Sequence, residues 1–203
     1  MAKMNWWSRW FVNHAKARAN ARLYGWLQTH LNLPPDSVCL EVGCGNGNMA
    51  LRIMDGMKPA RLVATDLDIA QIEAAERQFR EHYPEGIPPG LEVRPADMLR
   101  LPFPDAGFDV VFAFATLHHA GTTHRDPSRL AEALGEVDRV LRPTGFLAYE
   151  EFLHKDRLHR WLDARGYSVP ASERHWRREW VVAQKPPASA PASPVATAHA
   201  PAR

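Results

Sequence analysis

The chain has 203 residues, of which 45% are hydrophobic and 24% are charged, and its formal net charge is +2. This length and composition predict one globular domain with a sizeable core. The small net charge gives no support for nucleic-acid binding, so we expect no nucleic-acid partner. The longest apolar run, residues 110–117, is too short to cross a bilayer.

The two cysteines, Cys39 and Cys44, are five positions apart on a predicted strand and its loop. This spacing argues against a mutual disulfide and matches no zinc-binding pattern, so no metal site is expected. The N-terminus lacks the apolar core and small-residue cleavage site of a secretory signal. Both features favour a reducing intracellular setting, and we expect a cytoplasmic protein.

The N-terminal segment, residues 1–35, contains five Lys or Arg, no acidic residue and four of the seven tryptophans. Its apolar residues recur at spacings of three, four and seven, which is typical of a helix. These residues are Trp6, Trp10, Ala17, Ala21, Tyr24, Leu27 and Leu31. The sequence "LPPDS" at residues 33–37 then interrupts the pattern.

Strand-like and helix-like patterns alternate along the rest of the chain, which predicts a mostly parallel α/β sheet with helices on both faces. The predicted strands are residues 38–42, 61–66, 91–97, 108–115 and 145–152. The predicted helices are residues 48–57, 68–83, 126–143 and 156–166, with Asp68 and Asp126 as caps of the second and third. Residues 167–175 and 177–184 are predicted to form an antiparallel hairpin.

A glycine-rich loop follows the first predicted strand in "VCLEVGCGNGNMA", residues 38–50. Ligands of open parallel sheets bind beyond the carboxyl ends of the strands, where this loop lies. Gly45-x-Gly47-x-x-Ala50 fits a relaxed dinucleotide fingerprint, with an acid at residue 66 for a ribose. However, Glu41 would repel a pyrophosphate and would attract the amino group and sulfonium of S-adenosylmethionine. The charge at this loop therefore favours S-adenosylmethionine.

Four motifs, taken in order, resemble those of one family. They are "LEVGCGNG" (40–47), "VATDLD" (63–68), "ADMLRLPFPDAGFDVVFAFATLHH" (96–119) and "EVDRVLRPTGFL" (136–147). Together they resemble the class I S-adenosylmethionine-dependent methyltransferases, in particular the type 11 methyltransferase domain. Thr144 stands where the family has the first glycine of the turn before strand five.

The resemblance covers about residues 36–150. It implies a Rossmann-like class I methyltransferase fold, with a mostly parallel seven-stranded sheet in the order 3-2-1-4-5-7-6 and a C-terminal antiparallel hairpin. Residues 36–184 would form the domain that binds S-adenosyl-L-methionine, and residues 1–35 would cover its active site. The Pro-, Ala- and Ser-rich residues 185–203 are expected to be disordered.

The resemblance also implies how the cofactor is held. Glu41 would hold the methionine amino group, Asp66 would accept hydrogen bonds from both ribose hydroxyls, and Asp97 would accept one from the adenine amino group. The other implied contacts are Gly43, Gly45 and Gly47 along the methionine and ribose, Leu67 and Met98 at the adenine, and Ala115 near the sulfonium.

Methyl transfer from a sulfonium needs a positioned acceptor, and a general base only if the acceptor must lose a proton. Histidine is the side chain type suited to proton transfer near neutral pH, and His118 and His119 follow strand four directly, so they are the candidate catalytic residues. Either could instead pack or cap the turn. Glu150 and Glu151 end strand five, and strand alternation directs only one of them inward. The sequence leaves open which one.

The resemblance implies that the acceptor pocket is built from the N-terminal segment, the loop after strand four and any insertion after strand five. Because little chain separates strand five from the next helix, the pocket is expected to use residues 1–30 and residues 118–127. The N-terminal segment would cover the cofactor, line a pocket for an apolar or aromatic small molecule, or lie on an anionic membrane surface. We therefore expect a methyltransferase acting on a small-molecule acceptor. The alternatives are a non-catalytic binding or regulatory module and a nicotinamide-dependent oxidoreductase, which Glu41 disfavours.

Overall fold

The computed structural model describes residues 6–120 and 127–188, and the side chains of residues 18–120 and 128–188. The helices are α1 (Trp6–His30), α2 (Asn48–Gly56), α3 (Ile69–His82), α4 (Pro127–Val140) and α5 (Lys155–Ala164). The strands are β1 (Val38–Val42), β2 (Arg61–Asp66), β3 (Leu91–Pro95), β4 (Phe108–Phe114), β5 (Leu141–Glu151), β6 (Ser168–Arg174) and β7 (Glu179–Gln184). None of the helices in these ranges is long and apolar enough to cross a membrane.

The strands form one seven-stranded sheet in the order β3-β2-β1-β4-β5-β7-β6, as the resemblance implied. The strands β1 to β5 pair in parallel, and β7 pairs antiparallel with both β5 and β6. The predicted α/β class and the C-terminal hairpin are confirmed. Because parallel strands end at the same edge, the loops after β1 to β5 gather on one side of the sheet.

Two apolar clusters cover the two faces of the sheet. Helices α1, α2 and α3 pack on one face, where Leu27, Ile53 and Phe79 are buried against Phe112. Helices α4 and α5 pack on the other face, where they bury Leu134 and Leu158 against the sheet. Burial on both faces explains why the central strands are almost continuously apolar.

The helix predicted from the spacing of apolar residues is present as α1. Its buried side chains are Leu23, Trp26 and Leu27, and Leu31 directly after it is also buried. Of the other residues in the predicted pattern, Ala21 is exposed and Tyr24 is half-buried. The ring of Trp26 lies 4.6 Å from that of His30 and 5.9 Å from that of Trp180. The side chains of Trp6, Trp10 and Ala17 lie outside the described part of the chain.

Element boundaries follow the predictions except around β5. Helix α4 ends at Val140, and β5 begins at Leu141 rather than at residue 145. Leu141 pairs with Phe108, and the register then shifts before the next pair, so residues 142–145 form an irregularity within the strand. The cap at Asp68 is confirmed, since its side chain accepts a hydrogen bond from the N–H of Ala70. The predicted cap Asp126 lies outside the described residues.

Candidate functional site

A cavity of about 980 Å³ opens at the edge of the sheet where the parallel strands end. The loops after β1 to β5 line it, together with Ala19 and Asn20 of α1. Of the predicted site residues, those that line the cavity are Glu41, Gly43, Gly45, Asp66, Leu67, Asp97, Met98, Ala115 and His119. Gly47 and His118 do not line it.

The glycines of the loop serve different purposes. A Cβ on Gly43, whose φ is 69°, would lie 1.9 Å from Oγ1 of Thr116 in the loop after β4. A Cβ on Gly47, whose φ is 78°, would lie 2.5 Å from the ring of Phe79. Gly47 was expected to line the methionine and ribose, but it starts α2 and lets the loop pack on α3. A Cβ on Gly45 would meet only Oε1 of Gln71, at 3.8 Å among the described residues, so a ligand can approach the backbone there.

Glu41 is a buried carboxylate at the cavity wall, with 2% of its surface exposed. Its Oε2 atom is buried and has no hydrogen-bond partner among the described residues. Burial, with a smaller contribution from the charge of Asp66, raises the pKa of Glu41 to about 8. A buried carboxylate without a partner is costly, and a bound cation would remove that cost. An anionic hydrogen-bond acceptor of this kind fits the cationic amino group of S-adenosylmethionine.

Asp66 is held in place by two backbone groups. Its Oδ2 accepts from the N–H of Gly45 at 2.9 Å, and its Oδ1 accepts from the N–H of Asp68 at 3.0 Å. Each carboxylate oxygen has a second lone pair, so both oxygens remain able to accept from a ribose diol. The next residue, Leu67, is 68% exposed at the cavity. An exposed leucine there offers an apolar surface of the kind that an adenine ring covers.

The turn after β3 forms another part of the cavity wall. The Oδ1 atom of Asp97 accepts from the N–H of Leu99 at 2.9 Å, which fixes the carboxylate at the cavity wall. Met98 beside it is half-buried. On the opposite side, Ala115 has φ of 50°, a conformation that is unusual for a residue with a side chain. Its N–H donates to the carbonyl of Glu150 at 2.9 Å, joining the ends of β4 and β5.

The two predicted histidines have different surroundings. His118 is buried, and its Nδ1 lies 3.1 Å from Oε1 of Glu151, which is 0% exposed. Glu151 also accepts from the backbone N–H of His118, Phe152 and Leu153. His119 lines the cavity, and its ring centroid is 4.0 Å from that of His118. His119 thus lines the cavity, whereas His118 and Glu151 do not. The hydrogen bonds between His118 and Glu151 join the loop after β4 to the end of β5.

Glu150 is the carboxylate of β5 that faces the cavity. Its Oε1 accepts from Nη1 of Arg178 at 2.8 Å and from Nε1 of Trp180 at 3.2 Å. The sequence left open which of the two glutamates points inward, and it gave no signal for Arg178 or Trp180. Both belong to the C-terminal hairpin, and only the antiparallel pairing of β7 with β5 brings them to the site.

The chain matches a family model described as a methyltransferase domain over residues 40–149. It is 34% identical over 139 residues to the 27-O-demethylrifamycin SV methyltransferase of Amycolatopsis mediterranei (strain S699), covering 66% of this chain and 46% of the relative. It is 33% identical over 144 residues to the phthiotriol/phenolphthiotriol dimycocerosates methyltransferase of Mycobacterium leprae (strain TN), and this match covers 71% of this chain and 48% of the relative. The chain thus spans about half the length of the curated relatives that it matches.

Two solved structures show the same fold. The [4+2]-cyclase SpnF aligns with a TM-score of 0.69 and 20% identity over 81% of this chain and 80% of that one. A SAM-dependent methyltransferase from Aquifex aeolicus aligns with a TM-score of 0.63 and 20% identity over 80% of this chain and 89% of that one. The match to the family model extends over more than half of the chain. The chain therefore belongs to the class I S-adenosylmethionine-dependent methyltransferases of the type 11 domain family, whose cofactor is S-adenosyl-L-methionine.

Proposed function

We propose that the protein transfers a methyl group from S-adenosylmethionine to a small-molecule acceptor with an apolar or aromatic body. The observation that carries the proposal is the buried Oε2 of Glu41, which has no partner among the described residues and lies at the cavity wall beside the glycine loop. A cationic amino group is the ligand chemistry that this carboxylate needs.

The remaining cofactor contacts follow from the positions of the predicted residues. Gly43 and Gly45 bring the backbone to the ligand, Asp66 receives the ribose hydroxyls, and Asp97 receives the adenine amino group. Leu67 and Met98 flank the adenine, and Ala115 lies near the sulfonium. When bound, the cofactor supplies a methyl group that is already activated by the positive sulfur. The chain then has to orient the acceptor and exclude water.

The acceptor is proposed to bind where β4 and β5 end. The cavity is large enough for the cofactor and a second small molecule, since ligand pockets usually measure about 300–1,000 Å³. Its lining there includes the aromatic side chains of Phe114 and Phe152. The substrates named for the two relatives, demethylrifamycin SV and phthiotriol/phenolphthiotriol dimycocerosates, support a small molecule as the acceptor.

Among the histidines, we propose that His119 contacts the acceptor. His118 is proposed as a positioning residue, because it lies outside the cavity and is joined to Glu151. The coverage of the site by residues 1–35 is supported by Ala19 and Asn20, which line the cavity from α1. The proposed membrane contact depends on side chains that lie outside the described part of the chain.

A transfer assay tests this function. The protein is incubated with methyl-tritiated S-adenosylmethionine and a panel of apolar hydroxylated and aminated aromatic compounds, and labelled product is extracted. We expect label in at least one acceptor and none with Asp66→Ala. If the protein binds S-adenosylhomocysteine but labels no acceptor in a broad panel, the non-catalytic binding module becomes the better description.

A further inference from the structure

The carboxylate of Glu150 is unusual because its two oxygens have different surroundings. The residue is 6% exposed, and both hydrogen bonds that it receives end on Oε1. The donors are the guanidinium of Arg178 and the indole of Trp180. Oε2 receives no hydrogen bond from the described residues, and Glu150 lines the cavity. One oxygen is therefore anchored in the protein and the other is available to a ligand.

The position of Glu150 places this oxygen in the acceptor half of the cavity. Glu150 is the register partner of Phe114 on β4 and of Trp180 on β7. Its own carbonyl accepts from the N–H of Ala115, the residue proposed to lie near the sulfonium. The other proposed cofactor contacts lie at the ends of β1, β2 and β3.

The anchor of Glu150 joins an exposed guanidinium, that of Arg178, to a buried indole, that of Trp180. Trp180 is buried, and its ring lies 4.4 Å from that of His175 and 5.9 Å from that of Trp26 in α1. A carboxylate held by a charge-assisted bond and a buried indole keeps one orientation without a ligand, which reduces the cost of binding one. The side chain is thus preorganised to accept a hydrogen bond.

We propose that Oε2 of Glu150 recognises the acceptor by accepting a hydrogen bond from its hydroxyl or amino group. This inference rests on the proposed function and narrows its substrate class to apolar molecules that carry a hydrogen-bond donor near the methylated atom. Acceptors that offer no hydrogen-bond donor at this place, such as carboxylates and ethers, are disfavoured because the carboxylate of Glu150 cannot donate to them. Phe114 and Phe152 contact the apolar body of the acceptor.

The substitution Glu150→Gln makes a sharp test because the two oxygens differ. With its carbonyl oxygen at the place of Oε1, the glutamine still accepts from Arg178 and Trp180, so the fold is retained. Its amide NH₂ then takes the place of Oε2 and presents a donor to the cavity. A ligand that must donate loses its partner, whereas an ether oxygen gains one.

The experiment compares 2-naphthol with its methyl ether, 2-methoxynaphthalene, and with the anion 2-naphthoate. Binding to the protein saturated with S-adenosylhomocysteine is measured by equilibrium dialysis. We expect the wild type to bind 2-naphthol at least about tenfold tighter than either other compound, as a hydrogen bond to a charged group warrants. In Glu150→Gln we expect the preference for 2-naphthol over its ether to disappear or reverse. The affinity of this variant for S-adenosylhomocysteine should stay within about twofold of that of the wild type. Glu85→Gln, the same change at an exposed position in the turn after α3, should leave the preference intact.

Three results would overturn the proposal: no binding of 2-naphthol by the wild type, equal binding of 2-naphthol and its ether, or an unchanged preference in Glu150→Gln. The first two need only the wild type, so they decide the matter even if the variant does not fold. A wild type that fails to bind S-adenosylhomocysteine contradicts the proposed function instead, and the two failures are distinguishable.

Discussion

The backbone N–H of Gly45 donates a hydrogen bond of 2.9 Å to Oδ2 of Asp66, joining the glycine loop after β1 to the end of β2. The other oxygen of Asp66 accepts from the N–H of Asp68 at the start of α3. One carboxylate thus fixes two loops of the cavity and still has lone pairs available for a diol.

We predict that Asp66→Asn weakens binding of S-adenosylhomocysteine by about tenfold or more, since hydrogen bonds to a charged group are worth about 1.5–3 kcal/mol. The side-chain amide of asparagine accepts only on its oxygen, because its other terminal atom is an NH₂ donor. The variant therefore loses either a hydrogen bond from the backbone of the loops or a hydrogen bond from the ribose. Isothermal titration calorimetry measures the effect. Glu73→Gln, an exposed change on α3, serves as the control and should bind as the wild type does. Equal affinities for all three proteins would remove Asp66 from the cofactor site.

The raised pKa of Glu41 predicts a gain in stability for Glu41→Gln in the absence of ligand. The pKa of about 8 lies above the ordinary glutamate value of about 4.3. The free energy of unfolding of the wild type therefore decreases as the pH rises from about 4.3, the ordinary glutamate pKa, to about 8. The variant shows no such decrease from this site, because glutamine does not titrate. The unfolding temperature of the variant minus that of the wild type should increase from pH 5 to pH 8. A constant difference across this range would contradict the buried, unpaired state of Glu41.

The same carboxylate predicts a pH dependence of cofactor affinity. Below pH 8 the free protein holds a proton on Glu41, and a cationic amino group binds better once that proton has left. Affinity for S-adenosylhomocysteine should therefore rise between about pH 6 and pH 7.5, by up to about tenfold per unit. Calorimetry on Glu41→Gln should give a flat profile and weaker binding. A slope that persists in the variant would mean that another group titrates.

Thr144 predicts a stabilising substitution outside the site. Its φ is 63°, which is unfavourable for a β-branched residue, and its side chain is exposed. The left-handed conformation costs a residue with a side chain roughly 1–2 kcal/mol, so Thr144→Gly should raise the free energy of unfolding by up to about 1 kcal/mol after the entropy of glycine is subtracted. The adjacent Gly145→Ala should do the opposite, because its Cβ would lie 2.7 Å from the carbonyl of Asp109. Urea denaturation compares the two. A loss of stability in Thr144→Gly would show that the threonine side chain is needed there.

The pair of His118 and Glu151 predicts a pH-dependent contribution to stability. Burial would raise the pKa of Glu151, but hydrogen bonds from His118 and from the N–H groups of Phe152 and Leu153 hold it below its ordinary value. A group with a lowered pKa in the folded state stabilises the fold when the pH is above the ordinary pKa of that group. This stabilisation is lost as the pH falls through the pKa of the folded state. Glu151→Gln should destabilise the protein by about 3 kcal/mol near neutral pH and by less in acid. Equal destabilisation at both pH values would refute the lowered pKa of Glu151.

Much of the sheet was predictable because its signals are local. The strands β1, β2 and β4 contain short apolar runs bounded by turns, and the resemblance carried by the four motifs implied the strand order. The start of β5 was missed because "RPTG" at residues 142–145 reads as a break, whereas the chain crosses it within the strand. A sequence pattern does not distinguish an irregularity inside a strand from the loop before it.

The acceptor side of the site was less predictable than the cofactor side. Nine of the eleven predicted site residues line one cavity, because the motifs that carry them are contiguous in sequence. The contacts of Glu150 with Arg178 and Trp180 join residues 28 and 30 positions apart. They depend on the register between β5 and β7, which local periodicity does not specify. Similarly, the contact between the rings of Trp26 in α1 and Trp180 in β7 joins residues that are far apart in sequence.

The most direct test of the central claim is thermal unfolding of the purified protein with S-adenosylmethionine, with S-adenosylhomocysteine, with NAD and with buffer alone. A ligand present at 100 times its dissociation constant adds about 2.7 kcal/mol to the free energy of unfolding, a shift of a few degrees. We predict that both sulfur nucleosides raise the unfolding temperature, that NAD does not, and that Asp66→Ala abolishes the shift. A folded protein that responds to neither sulfur nucleoside would contradict the assignment of the cavity to S-adenosylmethionine.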